Sequence, residues 1–279
     1  METYNYSYLN NKIELKKKIR MSIIYPDGTT IKGKKNFVDW TDRLGITNFN
    51  FKNLSVLDVA TDEGWWAFWA EMNGAKYVEA SDVELGEDYD WGHKKDWGWI
   101  NNLNIGRNGR KVFDFHHKNL NSKVVVKRES IYQASGNFDV VFAHGLMYHL
   151  RHPLLAIDNV AKICKGYFVF ETFVYNKVDP MIATNNFYRT TELGPISNWS
   201  GATTACYTSW CKDAGFDDVY YLDQGFPGQN RQIFVAVKDK KYKQMFDQNP
   251  NLHYCDEKYW EDVFIKTRAS GKSTRKEIE

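Results

Sequence analysis

The chain has 279 residues, enough for one large domain or for a core with extensions. With 43% hydrophobic and 26% charged residues, it falls outside the disordered, collagen-like and low-complexity classes. Against 35 Asp+Glu, 37 Lys+Arg leave a net charge of +2, so no global field draws the chain to nucleic acid or to an anionic membrane; a local patch would suffice for RNA. Aromatics reach 16%, with 10 Trp, which points to a pocket for flat or cationic groups. Cys164, Cys206, Cys211 and Cys255 form no CxxC pair and no disulfide framework. Residues 1–10 are polar and aromatic, and no stretch reaches the ~18 apolar residues of a membrane span. A cytoplasmic protein without a membrane partner is expected.

Residues 1–53 read as a polar N-terminal extension, with a basic run from Lys16 to Arg20 as a solvated face and a turn at Tyr25-Pro-Asp-Gly28. Ser55 to Ala60 is a short apolar run that predicts a buried strand. From Gly64 the period changes: Trp65, Phe68, Trp69 and Met72 share a helix face that Gly74 closes. Lys76–Asp82, Val124–Lys127, Phe138–Ala143 and Gly166–Phe170 predict four more strands, and Leu154, Ile157, Ala161 and Cys164 mark a helix before the last of them. After Thr172 the chain is irregular to about Gly201. A helix with Tyr207, Trp210, Cys211 and Ala214 on one face then ends at Gly215. Val219–Leu222 and Gln232–Val237 complete the set as an antiparallel pair around Pro227-Gly228. Strands alternating with helices predict an α/β fold: a mostly parallel seven-stranded sheet, helices on both faces, a late antiparallel strand. The core then spans 54–238, and 239–279 is a C-terminal extension whose end, from Arg268, reads as disordered.

In an open α/β sheet the site lies beyond the carboxyl ends of the strands, where strand order reverses. Asp58-Val-Ala-Thr-Asp-Glu-Gly64 is the turn at that place, and it exposes backbone N–H groups at a helix start. A diphosphate would meet Asp62 and Glu63 as like charges, whereas a sulfonium cation with an amino-acid head would not. This favours S-adenosyl-L-methionine over a dinucleotide. Asp82, about 20 residues on, closes the second strand and can take two ribose hydroxyls. The alternative is a tight strand–helix connection with a polar cap and a strand-end turn carboxylate.

Residues 56–75, VLDVATDEGWWAFWAEMNGA, resemble the first motif of class I S-adenosylmethionine-dependent methyltransferases. Asp139 to Leu155, DVVFAHGLMYHLRHPLL, is similar to the second signature of a subgroup that includes the tRNA wobble-uridine carboxymethyltransferase and many small-molecule or glycan methyltransferases. Phe170-Glu-Thr172 resembles its strand end and Cys211–Phe216 its late helix end. The resemblance spans about residues 36–238. It implies a Rossmann-like methyltransferase fold, with Asp58, Ala60, Thr61 and Gly64 at the amino-acid end of the cofactor and Asp82 at the ribose. It places Ser130 and Ile131 at the adenine. Trp66, which points away from the apolar stripe of its helix, is expected to border the cofactor or acceptor, and His144 is a further cofactor-binding candidate. Ala60 stands where the subgroup has glycine, which restricts backbone approach. Lys34 and Lys35 lie where a carboxylated cofactor would be held, but the pattern around them departs from the subgroup.

On the acceptor side, Tyr148 and His149 follow the fourth strand. A hydroxyl acceptor must lose a proton, and a histidine suits that role; a histidine tying the loop to backbone carbonyls is the alternative. Arg151 either binds an anionic acceptor group or anchors the loop. His144, His149 and His152 lack an established ligand spacing, so no metal is expected. His116-His117 reads as a solvated helix face, and Trp65 as core. Trp91, Trp97 and Trp99 read as a lid or as packing beneath a loop. Asn185, Asn186, Tyr188, Arg189 and Trp199, in the long irregular stretch, suit a sugar or nucleoside. The sequence therefore predicts O-methylation of a small molecule, sugar or nucleoside. Wobble-uridine modification in tRNA, with RNA as partner, and cofactor binding without turnover are the alternatives.

Overall fold

The computed structural model describes residues 19–33, 51–83, 90, 107–187, 198–222 and 230–275, with the side chains of 107, 108 and 271–275 left aside. The expectations for Lys16, Lys34, Lys35, Trp91, Trp97, Trp99, Tyr188, Arg189 and Pro227-Gly228 lie outside these residues.

A short hairpin opens the described chain: β1 (Ile23–Ile24) pairs with β2 (Thr30–Ile31) across the Tyr25–Gly28 turn, which Gly28 N closes on Tyr25 O at 2.9 Å. The main sheet follows. Its elements in chain order are β3 (Ser55–Val59), α1 (Trp65–Met72), β4 (Tyr77–Asp82), α2 (Arg107–Asn119), β5 (Val125–Arg128), β6 (Phe138–His144), a 3-10 turn (Met147–His149), α3 (Pro153–Ile163) and β7 (Cys164–Phe173). After the small hairpin β8 (Asn185–Phe187) and β9 (Ser200–Ala202) come α4 (Thr204–Asp213), β10 (Asp218–Leu222), β11 (Arg231–Val237), α5 (Lys243–Asp247), β12 (Leu252–Tyr254) and α6 (Glu257–Arg275).

The strand order is β12-β10-β11-β7-β6-β3-β4-β5. From β7 to β5 the strands are parallel; β11 is antiparallel to both β7 and β10, and β12 is antiparallel to β10. The sheet has eight strands rather than seven. The extra edge strand, three residues long, has too few positions to show a period of two.

Strands covered on both faces read as continuous apolar runs, because successive side chains enter different cores. Leu57, Val141, Phe168 and Ala236 pack on one face, and Val56, Val140, Val169 and Val235 on the other. The first core takes in α3, α4 and α6; the second takes in α1, α2 and the N-terminal hairpin. β7 starts two residues before Gly166. That glycine lies inside the strand because a Cβ there would meet Asp139 O at 2.2 Å.

The predicted stripe on α3 holds at Ile157 and Ala161 but not at its first position. Leu154 is 41% exposed, and the buried face is Pro153, Ala156, Ile157, Val160 and Ala161. The stretch after Thr172 contains the β8–β9 hairpin. The chain beyond residue 238 adds β12 to the sheet, and α6 is helical through Arg275 where the sequence reads as disordered. Its inner residues Tyr259 and Val263 are buried in the first core, which holds the helix down. Among the described residues no helix is long and apolar enough to cross a membrane.

Candidate active site

Strand order reverses between β3 and β6, which opens a crevice above their carboxyl ends. The turn from β3 into α1 bends sharply there: Ala60, Asp62 and Gly64 have φ of 55°, 49° and 81°. Gly64 meets two demands, since a Cβ would also lie 2.4 Å from Phe113 and 2.5 Å from Phe68. Ala60 adopts a left-handed conformation that glycine enters at little cost, although it carries a Cβ.

Asp58 is buried at the end of β3. Its Oδ2 accepts from Thr61 Oγ1 at 2.6 Å and from Ala67 N at 3.2 Å, fixing the turn to the first turn of α1. Burial pushes its carboxyl up to about 7, against those hydrogen bonds and with help from the charges of Asp82 and Asp62. Asp82, at the end of β4, accepts from Asp62 N at 2.9 Å through Oδ2 and from Val83 N at 2.8 Å through Oδ1. Burial likewise raises it to about 7. A cleft of about 450 Å³, open to solvent, lies beside it, lined by Thr61, Val83, Val126, Arg110 and Arg128 among others.

The N-terminal segment is tied to this turn. Glu63 accepts from Arg20 N at 2.8 Å and Met21 N at 3.0 Å, Arg20 Nη1 pairs with Asp62 Oδ2 at 3.0 Å, and Trp65 Nε1 donates to Ser22 O at 2.7 Å. The Arg20 side chain stays 63% exposed, as a solvated face predicts, while its backbone N–H is bound to Glu63. Burial and Asp62 raise Glu63 to about 7. His116 is also a correction: it is buried, bonds the Tyr25 hydroxyl through Nδ1 at 2.8 Å, and is lowered by burial to about 4. Its partner comes from a hairpin 91 residues away, which no local pattern reveals.

Across the crevice, Glu171 on β7 holds Arg231 on β11 through both carboxylate oxygens. Arg231 Nη1 also donates to the Tyr148 hydroxyl at 2.9 Å, and its guanidinium lies 4.9 Å from the Tyr148 ring centroid. The His149 ring packs 4.1 Å from that of Tyr148, and His149 N donates to Leu146 O at 2.8 Å. Arg151 N donates to Asp90 Oδ2, and its guanidinium lies 4.4 Å from the Trp199 ring centroid. Trp199 N donates to Tyr148 O at 2.9 Å, and Asp90 also accepts from the Tyr132 hydroxyl at 2.7 Å.

The structure thus brings Asp58, Ala60, Thr61, Gly64 and Asp82 together on one side of the crevice and His144, Tyr148 and His149 on the other. Ser130 is half-buried beyond β5, bonded to Gln133, and Ile131 is a core residue 3% exposed; neither lines the cleft beside Asp82. Trp66 and Trp65 are both buried, because α1 lies between the sheet and the N-terminal segment. Trp66 stacks on His144 at 4.1 Å. Burial, with the Arg231 charge, lowers His144 to about 3. Among the described residues no three His, Cys, Asp or Glu side chains converge on a metal position. Glu171 and Arg231 are the residues that sequence reasoning missed. Glu171 stands in the strand end quoted above, but Arg231 carries no local signal.

The chain matches the methyltransferase-domain family over residues 32–221. No curated protein matches it. Among solved structures, its fold is similar to the N-terminal domain of EvdMO1 crystallised in the presence of SAH and D-fucose, with a TM-score of 0.53, 11% identity, and coverage of 85% of this chain and 99% of that one. It is also similar to a protein from Listeria monocytogenes assigned as an S-adenosylmethionine-dependent methyltransferase, with a TM-score of 0.50, 13% identity, and coverage of 71% and 97%.

Proposed function

Because this chain belongs to the methyltransferase-domain family, we propose that it transfers a methyl group from S-adenosylmethionine to an oxygen of a small-molecule acceptor, a sugar or a nucleoside. The observation that carries the reading is Asp82. Two backbone N–H groups fix its carboxylate at the strand end, beside an open cleft and one strand from the switch point. That donor set fits the cofactor: a carboxylate for two ribose hydroxyls, and a turn with left-handed residues that lets backbone approach an amino-acid head.

When bound, S-adenosylmethionine supplies an electrophilic methyl on a sulfonium sulfur, which an in-line nucleophile takes. The residues of this chain have the remaining tasks. Asp82 holds the ribose and Thr61 to Gly64 the amino-acid end. Asp58 acts through Thr61 and Ala67, keeping the turn in shape. His149 takes the acceptor's proton, as its place after β6 beside Tyr148 supports. The two walls of the crevice align the partners and exclude water.

Calorimetry with S-adenosylhomocysteine tests the cofactor reading. Asp82→Ala is expected to weaken binding by about 1.5–3 kcal/mol, and unchanged affinity in a folded variant refutes the assignment. The mixture for the acceptor test contains free monosaccharides, D-fucose first among them, and nucleosides. His149→Asn is expected to lower turnover ~10²–10⁴-fold with cofactor affinity retained. Full turnover in that variant removes His149 from the reaction.

A further inference from the structure

The Tyr148 hydroxyl is the oxygen on the acceptor wall whose hydrogen can be placed by bookkeeping. A guanidinium is donor-only, so in the 2.9 Å contact with Arg231 Nη1 the phenol oxygen must accept. Its own hydrogen is then directed elsewhere, and among the described residues none accepts it. The other edge of the guanidinium is spent on both oxygens of Glu171, which is 3% exposed, so Arg231 cannot swing to a ligand without breaking a buried bidentate pair. Gly145 leaves room for this arrangement: a Cβ there would lie 3.3 Å from Arg231 Nη2 and 3.8 Å from the Tyr148 hydroxyl. The turn that carries Tyr148 is held in addition by Trp199 N on Tyr148 O.

We propose that Arg231, anchored by Glu171, is a positioning residue that locks Tyr148 as a neutral hydrogen-bond donor, aimed at a lone-pair oxygen of an uncharged, polyhydroxylated acceptor. The proposal deepens the methyl-transfer reading and rests on it. The charges that act on Tyr148 are paired: Glu171 matches Arg231 on this wall, and Asp62 matches Arg20 across the crevice. A fixed O–H among paired charges selects an uncharged oxygen rather than an anion. Burial holds the phenol above its ordinary range, opposed by Arg231 and reinforced by Glu171, so it stays protonated and serves as donor, not as base. The groups that face it are Arg231, Glu171, Arg20 and the His149 ring.

The test uses the full chain labelled with 3-fluorotyrosine, with Tyr148→Phe to assign the fluorine signal. In the unliganded protein, Arg231→Gln is expected to move the Tyr148 titration to higher pH and Glu171→Gln to lower pH, while Arg231→Lys, which keeps the charge, stays nearer the wild type. A Tyr148 that is ionised at neutral pH, or that titrates alike in wild type, Arg231→Gln and Glu171→Gln, overturns the proposal. In methyl transfer to the monosaccharide and nucleoside mixture, Tyr148→Phe is expected to raise KM ~3–10-fold with kcat within about twofold, the effect of losing one neutral hydrogen bond. A hundredfold fall in kcat with loss of a limb of the pH profile would make Tyr148 a base and overturn the donor role. If S-adenosylhomocysteine binds but no uncharged acceptor in the mixture is methylated, the acceptor class is wrong. If S-adenosylhomocysteine does not bind at all, the methyl-transfer reading fails, whatever the titration shows.

Discussion

Replacing Ala60 with glycine tests whether the strained turn is a real demand of the fold. Ala60 sits at φ 55°, where a residue with a Cβ costs roughly 1–2 kcal/mol and glycine costs almost nothing. Glycine also loosens the unfolded chain, which takes back about 0.4–1 kcal/mol. The net expectation for Ala60→Gly is a gain of about 0.5–1 kcal/mol, or roughly 1–4 °C in Tm for a chain of this size. Ala80→Gly is the control. Ala80 is fully buried in β4 and away from positive φ, so glycine there removes packing and should lower Tm. Scanning calorimetry of both variants reads the sign directly, and calorimetric titration with S-adenosylhomocysteine shows whether the turn still binds. A fall in Tm for Ala60→Gly, comparable to that of the control, would refute the claim that this position carries backbone strain.

Gly64→Ala is the reverse experiment: left-handed strain and a methyl 2.4 Å from Phe113 should together cost about 2–4 kcal/mol, read as a lower urea midpoint. An unchanged midpoint would mean that Phe113 and Phe68 give way freely. The pH dependence follows from Asp58, Glu63 and Asp82, all raised to about 7 by burial. A carboxyl bound to its proton more tightly when folded favours the native state below its unfolded pKa, and that advantage is lost as pH rises to about 7. His116 and His144, lowered to about 4 and 3, act oppositely: their contribution grows as pH rises through the unfolded value of about 6.5 and is complete about one unit above it. From pH 6.5 to 8 the three carboxyls, at roughly 0.8 kcal/mol each, outweigh the two histidines, at roughly 0.4 kcal/mol each, so unfolding free energy should fall by roughly 1.5 kcal/mol and Asp58→Asn should flatten the slope. Stability that rises over that interval would refute the assignment.

Where the sequence was informative, one side of each element meets one core. β3, β6 and β7 are covered on both faces, so their apolar runs stand out, and the α1 period is clear because that helix is packed on the sheet. The α3 stripe failed only at its start, where Leu154 and Leu155 are exposed while smaller Ala156 is buried; hydrophobicity and burial part company there. β12 was missed because its pairing partner, β10, is what makes it a strand. The same division separates the two walls of the site. The Asp58–Gly64 wall is local: a strand end, a tight turn and a helix start within seven residues, with Asp82 on the neighbouring parallel strand.

The opposite wall depends on register. Arg231 pairs with Phe173 and Ile233 with Glu171, so Arg231 reaches Glu171 only as a diagonal neighbour on the same face of an antiparallel pair. Glu171 in turn stands beside His144 in β6, which stacks on Trp66. Four side chains from four elements therefore depend on two strand registers, neither of which sequence spacing encodes. A one-residue slip of β11 would send Arg231 to the other face and leave Glu171 buried and unpaired, a loss of several kcal/mol. The ion pair that aims Tyr148 thus also penalises the wrong pairing of β11 with β7, which couples the acceptor wall to the correct assembly of the sheet.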